Sequence, residues 1–141
     1  MFNIISILLY LHVLAAVVMG VYLLFPFLAA RITALTGAAQ VGLVSALFIA
    51  NRTGQLALLI SLLTGGYLVG KGEYSITWMV LAVVLFLALA AVTGVMGGAM
   101  RKALADPAGT KINDHAGRIR SLSLVSAIIF FVLFTIMSFP F

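Results

Sequence analysis

The chain has 141 residues, of which 65% are hydrophobic and 8% are charged, and its formal net charge is +5. This composition excludes a water-soluble globule, because it leaves too little polar surface. It also excludes nucleic-acid binding, since the basic residues stand at the ends of apolar runs rather than among exposed polar and aromatic side chains. Disulfides, thiolate metal sites and thiol catalysis are excluded by the absence of cysteine. We therefore expect a multi-pass protein embedded in a lipid bilayer.

The first apolar run covers residues 4–30 and predicts the first transmembrane helix. It is too long for the apolar core of a signal peptide, and no basic segment precedes it. The second apolar stretch, residues 41–69, is interrupted by the polar sequence NRTGQ at residues 51–55. A span of roughly 18 residues that ends there covers residues 53–70 and leaves Arg52 at the membrane face.

Arg52 has two interpretations. On the first, residues 40–50 form a helical extension or an interfacial piece, and Arg52 lies at the edge of the membrane. On the second, one long tilted helix holds Arg52 inside the bundle, where a charged side chain is a functional candidate.

The third and fourth spans are predicted over residues 77–100 and 116–138. The third ends at a basic pair, and the sequence DPAG at residues 106–109 predicts a turn. Asp114 is the predicted cap of the fourth helix. The predicted fold is all-α: one membrane-embedded bundle of four helices over residues 1–141.

Basic residues are distributed unequally between the predicted connections. Seven flank the first and third connections, and only Lys71 lies on the second. By the positive-inside rule, the first and third connections are cytoplasmic and both termini are extracytoplasmic. In a bacterium this places the protein in the inner membrane. Tyr67, Tyr74 and Trp78 then form an aromatic belt at the outer interface.

His12 lies within the apolar stretch LLYLHVLAAVVMG, residues 8–20. Ala16 and Gly20 follow it on the same helical face, with Met19 beside them, so something flat or another helix has room to approach. One interpretation is packing, with His12 hydrogen-bonded to a neighbouring helix. The other makes His12 a ligand of haem iron or a proton relay. His115 is predicted at the opposite membrane face, too far away to share a metal or haem within one chain.

The third span carries a similar lane of small residues, Ala90, Gly94 and Gly98, which predicts close helix packing. Five methionines are scattered over three spans without the close repeats of a thioether copper path. No set of nucleophile, base and acid is present, so no catalytic residue is predicted.

Three short motifs carry a resemblance to known families: LHVLAAVV in the first span, LLTGGYLV near the end of the second, and IMSFPF at the end of the chain. They resemble an uncharacterised family of bacterial four-helix membrane proteins related to copper-resistance-D-like domains. More distantly, they resemble HemJ-type protoporphyrinogen oxidases, in which the histidine of the LH pair is implicated in haem binding. The resemblance implies that His12 holds haem. Met19 replaces the family's tryptophan and the third span lacks its basic residue, and these departures weigh against oxidase activity.

The leading hypothesis is a membrane protein that binds haem b, or a similar flat apolar molecule, beside His12, Ala16, Met19 and Gly20. A parallel homodimer would place two copies of His12 at equal depth, where they would share one haem. The alternatives are an accessory subunit that packs into a larger membrane complex, and a small transporter of a hydrophobic or metal solute.

The charge distribution generates a test of topology. A reporter fused after Phe141 is expected to behave as extracytoplasmic, and one inserted near Gly109 as cytoplasmic, because seven of the eight Lys and Arg residues flank the first and third connections. Alkaline phosphatase and fluorescent-protein fusions measure the two locations. The reverse pattern would contradict the predicted orientation.

Overall fold

The computed structural model describes residues 3–141, and this part of the chain is helical apart from short connections. The elements are α1 (Ile4–Met19), a 3-10 segment (Gly20–Leu23), α2 (Phe25–Ala29), a second 3-10 segment (Ile32–Ala34), α3 (Gly37–Val69), α4 (Ile76–Ala103) and α5 (Ile112–Ser138). Four helical rods are long and apolar enough to cross a membrane: Ile4–Ala34, Gly37–Val69, Ile76–Ala103 and Ile112–Ser138. The predicted all-α, four-helix architecture is confirmed.

The rods run antiparallel to their neighbours in sequence, so the bundle has two chemically different ends. At one end, which we call the aromatic end, the Trp78 indole Nε1–H donates a hydrogen bond of 2.9 Å to Ile136 O. This bond joins the start of α4 to the end of α5. At the other end, the basic end, buried Gln40 donates to Asn113 Oδ1 over 2.9 Å and joins the starts of α3 and α5.

The first rod is broken where Gly20 begins the 3-10 segment and where Pro26 stands in the first turn of α2. Proline has no N–H to bond to the carbonyl four residues earlier, so the regular helix cannot continue through this point. Before the break, α1 packs on α3; after it, the 3-10 segment and α2 pack mainly on α5. The break therefore lets one span contact two different neighbours.

The second rod differs from its prediction over residues 53–70. Helix α3 continues without interruption from Gly37 to Val69, through the polar sequence at residues 51–55. At 1.5 Å per residue it is about 50 Å long, whereas the hydrocarbon layer is about 30 Å thick. The helix is thus long, as the second interpretation supposed, because its polar residues find partners in the bundle or point outward.

Arg52 lies outside the bundle, as the first interpretation supposed. Its side chain is exposed, with the guanidinium carbon 5.5 Å from the centre of the Phe48 ring. The guanidinium of Arg101, from the last turn of α4, approaches the same ring at 6.0 Å. The Arg52 guanidinium thus lies on the outer surface, beside the same ring as Arg101, and a role for it inside the bundle is contradicted.

The remaining helix boundaries shift slightly from their predictions. Ser75 caps α4 by accepting a hydrogen bond from Trp78 N–H at 3.1 Å. Helix α5 begins at Ile112 with Lys111 as its cap residue, so Asp114 lies in the first turn and is not the cap. The predicted turn is closed by Asp106, whose carboxylate accepts from the Thr110 hydroxyl and from Ala108 N–H. The Thr110 hydrogen bond lowers the pKa of Asp106, and the Ala108 N–H adds to this.

A buried polar network joins three rods at the middle of the bundle. The Tyr22 hydroxyl donates to Asn51 Oδ1 at 2.9 Å, and Asn51 Nδ2 donates to Thr93 O at 3.0 Å. All three residues are fully buried. Because unpaired polar groups are costly in an apolar interior, each of these bonds constrains how the rods pack.

The lane predicted on the third span is not the face that α4 buries within the chain. Ala90 and Gly94 are exposed and Gly98 is half-buried. The face in contact with the bundle lies about a third of a turn away and contains Leu89, Thr93, Met96, Gly97 and Met100. The three small residues do share one face of α4. The face that packs inside the bundle is the neighbouring one, which carries Thr93 and its bond from Asn51.

The network generates a prediction about two glycines of α3. A Cβ at Gly54 would lie 2.5 Å from the Tyr22 hydroxyl oxygen, whereas a Cβ at Gly42 meets open space. Gly54→Ala is expected to destabilise the protein by about 1–3 kcal/mol through overpacking. Gly42→Ala, the matched control, should be neutral or slightly stabilising, since alanine is the better helix former. Thermal unfolding in detergent measures both, and equal melting temperatures would contradict the packing of Tyr22 on Gly54.

Candidate functional site

A cleft of about 680 Å³ extends between the pair α1/α3 and the pair α4/α5. It reaches the aromatic end, because Lys71, Gly72 and Tyr74 from the α3–α4 connection line it. Its walls are mainly apolar and include side chains from all four rods, among them Leu9, Val17, Leu62, Phe86, Leu133 and Phe134. A concave, mostly apolar cavity with few polar groups is typical of a small-molecule or cofactor site.

His12, half-buried on α1, lines this cleft. Its Nδ1 lies 2.9 Å from Ser61 O and 3.1 Å from Thr64 Oγ1. Ser61 O can only accept, and the Thr64 hydroxyl already donates to Ile60 O at 2.7 Å. The proton of the neutral ring therefore resides on Nδ1, where both oxygens accept from it.

This arrangement leaves Nε2 of His12 as the nitrogen with a free lone pair. The polar atoms that contact the ring in residues 3–141, including Ser61 Oγ at 3.4 Å, all approach Nδ1. A histidine whose Nδ1–H is held by a backbone carbonyl has a fixed tautomer and ring orientation, as metal-ligating histidines usually do. Nε2 of His12 therefore has no polar partner among residues 3–141, and its lone pair is free to accept a hydrogen bond or to bind a metal.

Gly65 allows the His12 ring to pack closely against α3. A Cβ at this position would lie 2.8 Å from His12 Cε1, closer than a real side chain allows. Gly66, the next residue, also lines the cleft and has open space above it. The LLTGGYLV motif thus places one glycine under the imidazole and another on the cleft wall.

The structure brings together three of the four residues predicted to bind a ligand. His12, Ala16 and Met19 line the cleft, and Met19 is almost fully buried. Gly20 is not on the cleft wall. The helix changes to 3-10 geometry at that residue, so Gly20 no longer lies on the same face as His12 and Ala16. His115 lies on α5 at the basic end, as expected, so the two histidines do not meet.

Sequence reasoning missed four residues of the site. Ser61 and Thr64 hold Nδ1 of His12, and nothing in the linear pattern pairs them with a residue about fifty positions away. Met79 and Met137 join Met19 on the cleft wall, although the three methionines are far apart in sequence. Their scattering over three spans suggested separation, whereas antiparallel packing brings the three spans to one cavity.

Aromatic side chains lie at the mouth of the cleft. The rings of Tyr74 and Trp78 stack with their centres 4.7 Å apart and an angle of 17° between planes. The Lys71 ammonium lies 5.3 Å from the centre of the Tyr67 ring. Among the described residues that line the cleft, Lys71 is the one with a permanent positive charge.

Within residues 3–141 no group of three or more His, Cys, Asp or Glu side chains is placed to hold a metal ion. The side chains on the cleft wall that could donate to a metal include His12 and the thioethers of Met19, Met79 and Met137. A macrocycle such as a porphyrin supplies four of its own nitrogens, and one protein nitrogen is then sufficient to hold it.

Comparison with protein-family models, with curated proteins and with solved structures gave no match. The resemblance to copper-resistance-D-like and HemJ-type proteins therefore stays a prediction based on three short motifs.

Proposed function

We propose that this protein binds haem b, or a porphyrin of similar shape, in the cleft, where Nε2 of His12 would hold the iron. The observation that carries the proposal is the His12 ring itself. Its Nδ1 is held by Ser61 O and Thr64 Oγ1, and the ring lines a large apolar cavity. A hydrogen bond on Nδ1 fixes the tautomer and the orientation of the ring, which favours coordination through Nε2.

The size of the cleft supports a macrocycle over a bare ion. A volume of about 680 Å³ lies in the range of organic cofactor sites, and a single copper ion fills a small part of it. Cu(I) would also need two or three soft ligands close together. Met19, Met79 and Met137 line the same cavity as His12, so copper is the natural competitor in a binding assay.

The polarity of the cleft also fits an amphipathic ring. Its interior is apolar, whereas its mouth carries the Lys71 ammonium and the stacked rings of Tyr74 and Trp78. Haem b has an apolar macrocycle with two carboxylates on one edge. In this proposal Lys71 would pair with a carboxylate while the macrocycle would lie deeper, against apolar side chains.

The iron would either have His12 as its one protein ligand or take a second one, for which two sources are proposed. Met79 or Met137 on the cleft wall would supply a thioether from the same chain. In a parallel homodimer, His12 of a second copy would supply an imidazole instead. Bound haem supplies one-electron redox chemistry, and the axial ligands set its potential. The residues of this chain bind and orient the haem and exclude water from it.

The distribution of charge supports a proposal about location. We propose a bacterial inner membrane, with the basic end in the cytoplasm and the aromatic end outside. The cleft then opens toward the extracytoplasmic face.

The haem proposal predicts a specific spectroscopic loss. His12→Ala, expressed with excess haem and purified in detergent, is expected to lose the Soret band that the unaltered protein retains. His115→Ala is the matched control, because it removes the other histidine, at the basic end, and should keep full absorbance. Thr64→Val keeps the Ser61 carbonyl as acceptor and should weaken haem retention about tenfold, the usual effect of removing an outer-shell partner.

Helicity and melting temperature show whether each variant is folded. A folded His12→Ala protein that binds haem as tightly as the unaltered protein would contradict the ligand role. So would an unaltered protein that never acquires haem. Titration with Cu(I) in place of haem tests the competing ion, and His12-dependent copper binding without haem binding would replace the proposal.

A second candidate function, helix association with another subunit, is favoured by the exposed lane on α4. Ala90 and Gly94 face outward, and small residues on a lipid-facing surface allow close approach of another helix. The lane thus fits a homodimer or an accessory role in a larger membrane complex.

Gly94→Leu tests this second function. The nearest side-chain atom to a Cβ at Gly94 is Gln55 Nε2 at 4.0 Å, so the fold of one chain tolerates the change. The variant is expected to reduce oligomer size in size-exclusion chromatography with light scattering, while Gly42→Leu, also exposed and on α3, leaves it unchanged. If the oligomer size of Gly94→Leu is unaltered, the lane does not serve association.

A further inference from the structure

A second cavity, of about 250 Å³, lies between α4 and α5 at the basic end. Its lining from α4 is Val95, Gly98, Ala99 and Lys102, and its lining from α5 is His115 and Arg118. It shares no residue with the His12 cleft. Three of its six lining side chains are nitrogen bases or cations, which is unusual for a space between transmembrane helices.

Positive charge dominates this cavity. The Lys102 ammonium and the Arg118 guanidinium are permanent charges on opposite walls, and the His115 imidazole lies one turn before Arg118 on α5. The nearby carboxylate of Asp106 is occupied by its own loop, where Thr110 and Ala108 donate to it. Asp114, on the first turn of α5, is exposed and does not line the cavity. An anion therefore complements this cavity.

The α4 wall of the cavity leaves space for a ligand because Gly98 and Ala99 have small side chains or none. A Cβ at Gly98 would meet nothing within 4 Å, so the space above this glycine is empty of side chains. Ala99 beside it is buried. Arg and Lys at this point can reach an anionic group from two sides without competing with bulky neighbours.

The cavity also has an apolar side that faces into the membrane. Val95 lies two turns before Lys102, about 10 Å deeper along α4, and its side chain is 46% exposed. The cations are therefore at the basic end of α4 and α5, and an apolar wall continues from them toward the middle of α4. A free phosphate would use the cations alone, whereas a phospholipid would use both parts.

We propose that the cavity binds the phosphate of an anionic phospholipid from the adjacent leaflet, with Lys102, His115 and Arg118 around the phosphate and an acyl chain along Val95. Basic cavities between transmembrane helices are suited to such headgroups, because the charge attracts the lipid and the helices fix its position. The site is independent of the function proposed for the His12 cleft.

Native mass spectrometry of the purified protein with phosphatidylglycerol, and with phosphatidylcholine of the same acyl chains, tests the proposal. We expect phosphatidylglycerol to bind more tightly. Arg118→Gln should weaken its binding about fivefold, the factor that one cation near an anionic lipid contributes. Arg120→Gln is the matched control: it removes the same charge two residues away on α5, outside the cavity, and should leave binding unchanged.

A second pair of variants tests shape without changing charge. Gly98→Leu fills the cavity and is expected to weaken phosphatidylglycerol binding, and it should fold because a side chain has space there. Gly117→Leu, exposed at the same end and with open space around it, should bind as the unaltered protein does. Melting temperatures confirm that each variant is folded.

Three outcomes would overturn the proposal. Equal losses in Arg118→Gln and Arg120→Gln would mean general attraction to a basic surface. Unaltered binding by folded Gly98→Leu would mean that the cavity is not the site. Displacement of phosphatidylglycerol by millimolar inorganic phosphate would assign the cavity to a soluble phosphate compound.

Discussion

Both polar groups of the Asn51 side chain must be satisfied in an interior without water, and they are satisfied by two other rods. The carbonyl accepts from the Tyr22 hydroxyl and the amide donates to Thr93 O. This pair of bonds sets the level at which the first, second and third rods meet. Between this level and the basic end the rods are close; toward the aromatic end, the pairs α1/α3 and α4/α5 are separated by the cleft.

Helix α3 accommodates two ring side chains of the first rod in the same way. Gly54 lies under the Tyr22 ring and Gly65 lies under the His12 ring, and in each case a Cβ would collide with the ring. The Tyr22 ring is buried and its hydroxyl bonds to Asn51. The His12 ring is half-buried on the wall of the cleft. One helix surface, built on glycine, thus supports both the most buried polar network and the side chain that the site depends on.

The four spans could be predicted from the sequence because long apolar runs in a bilayer have few alternatives to a helix. The same reasoning ended the second span next to Arg52, because a charged residue was taken to mark the membrane edge. The neighbouring Asn51 is buried through its bonds with Tyr22 and Thr93, which the sequence does not reveal. His12 was recognised as unusual from its own surroundings. Ser61, Thr64, Met79 and Met137 could not be assigned to it, because pairing between helices depends on tilt and rotation that no local pattern encodes. For the same reason, Ala90 and Gly94 were expected to pack closely on another helix, whereas the rotation of α4 leaves both exposed within the chain.

The position of Trp78 has a practical consequence. It is the only tryptophan of the chain, it is buried on the wall of the cleft, and its indole is fixed by the bond to Ile136 O and by the Tyr74 ring. Indole fluorescence from this protein therefore originates at one rigid place, beside the candidate site and remote from the basic cavity. Any coloured molecule that enters the cleft lies close to that indole, whereas Lys102 is roughly 36 Å further along α4. The emission of the unlabelled protein thus reports when a coloured molecule occupies the cleft.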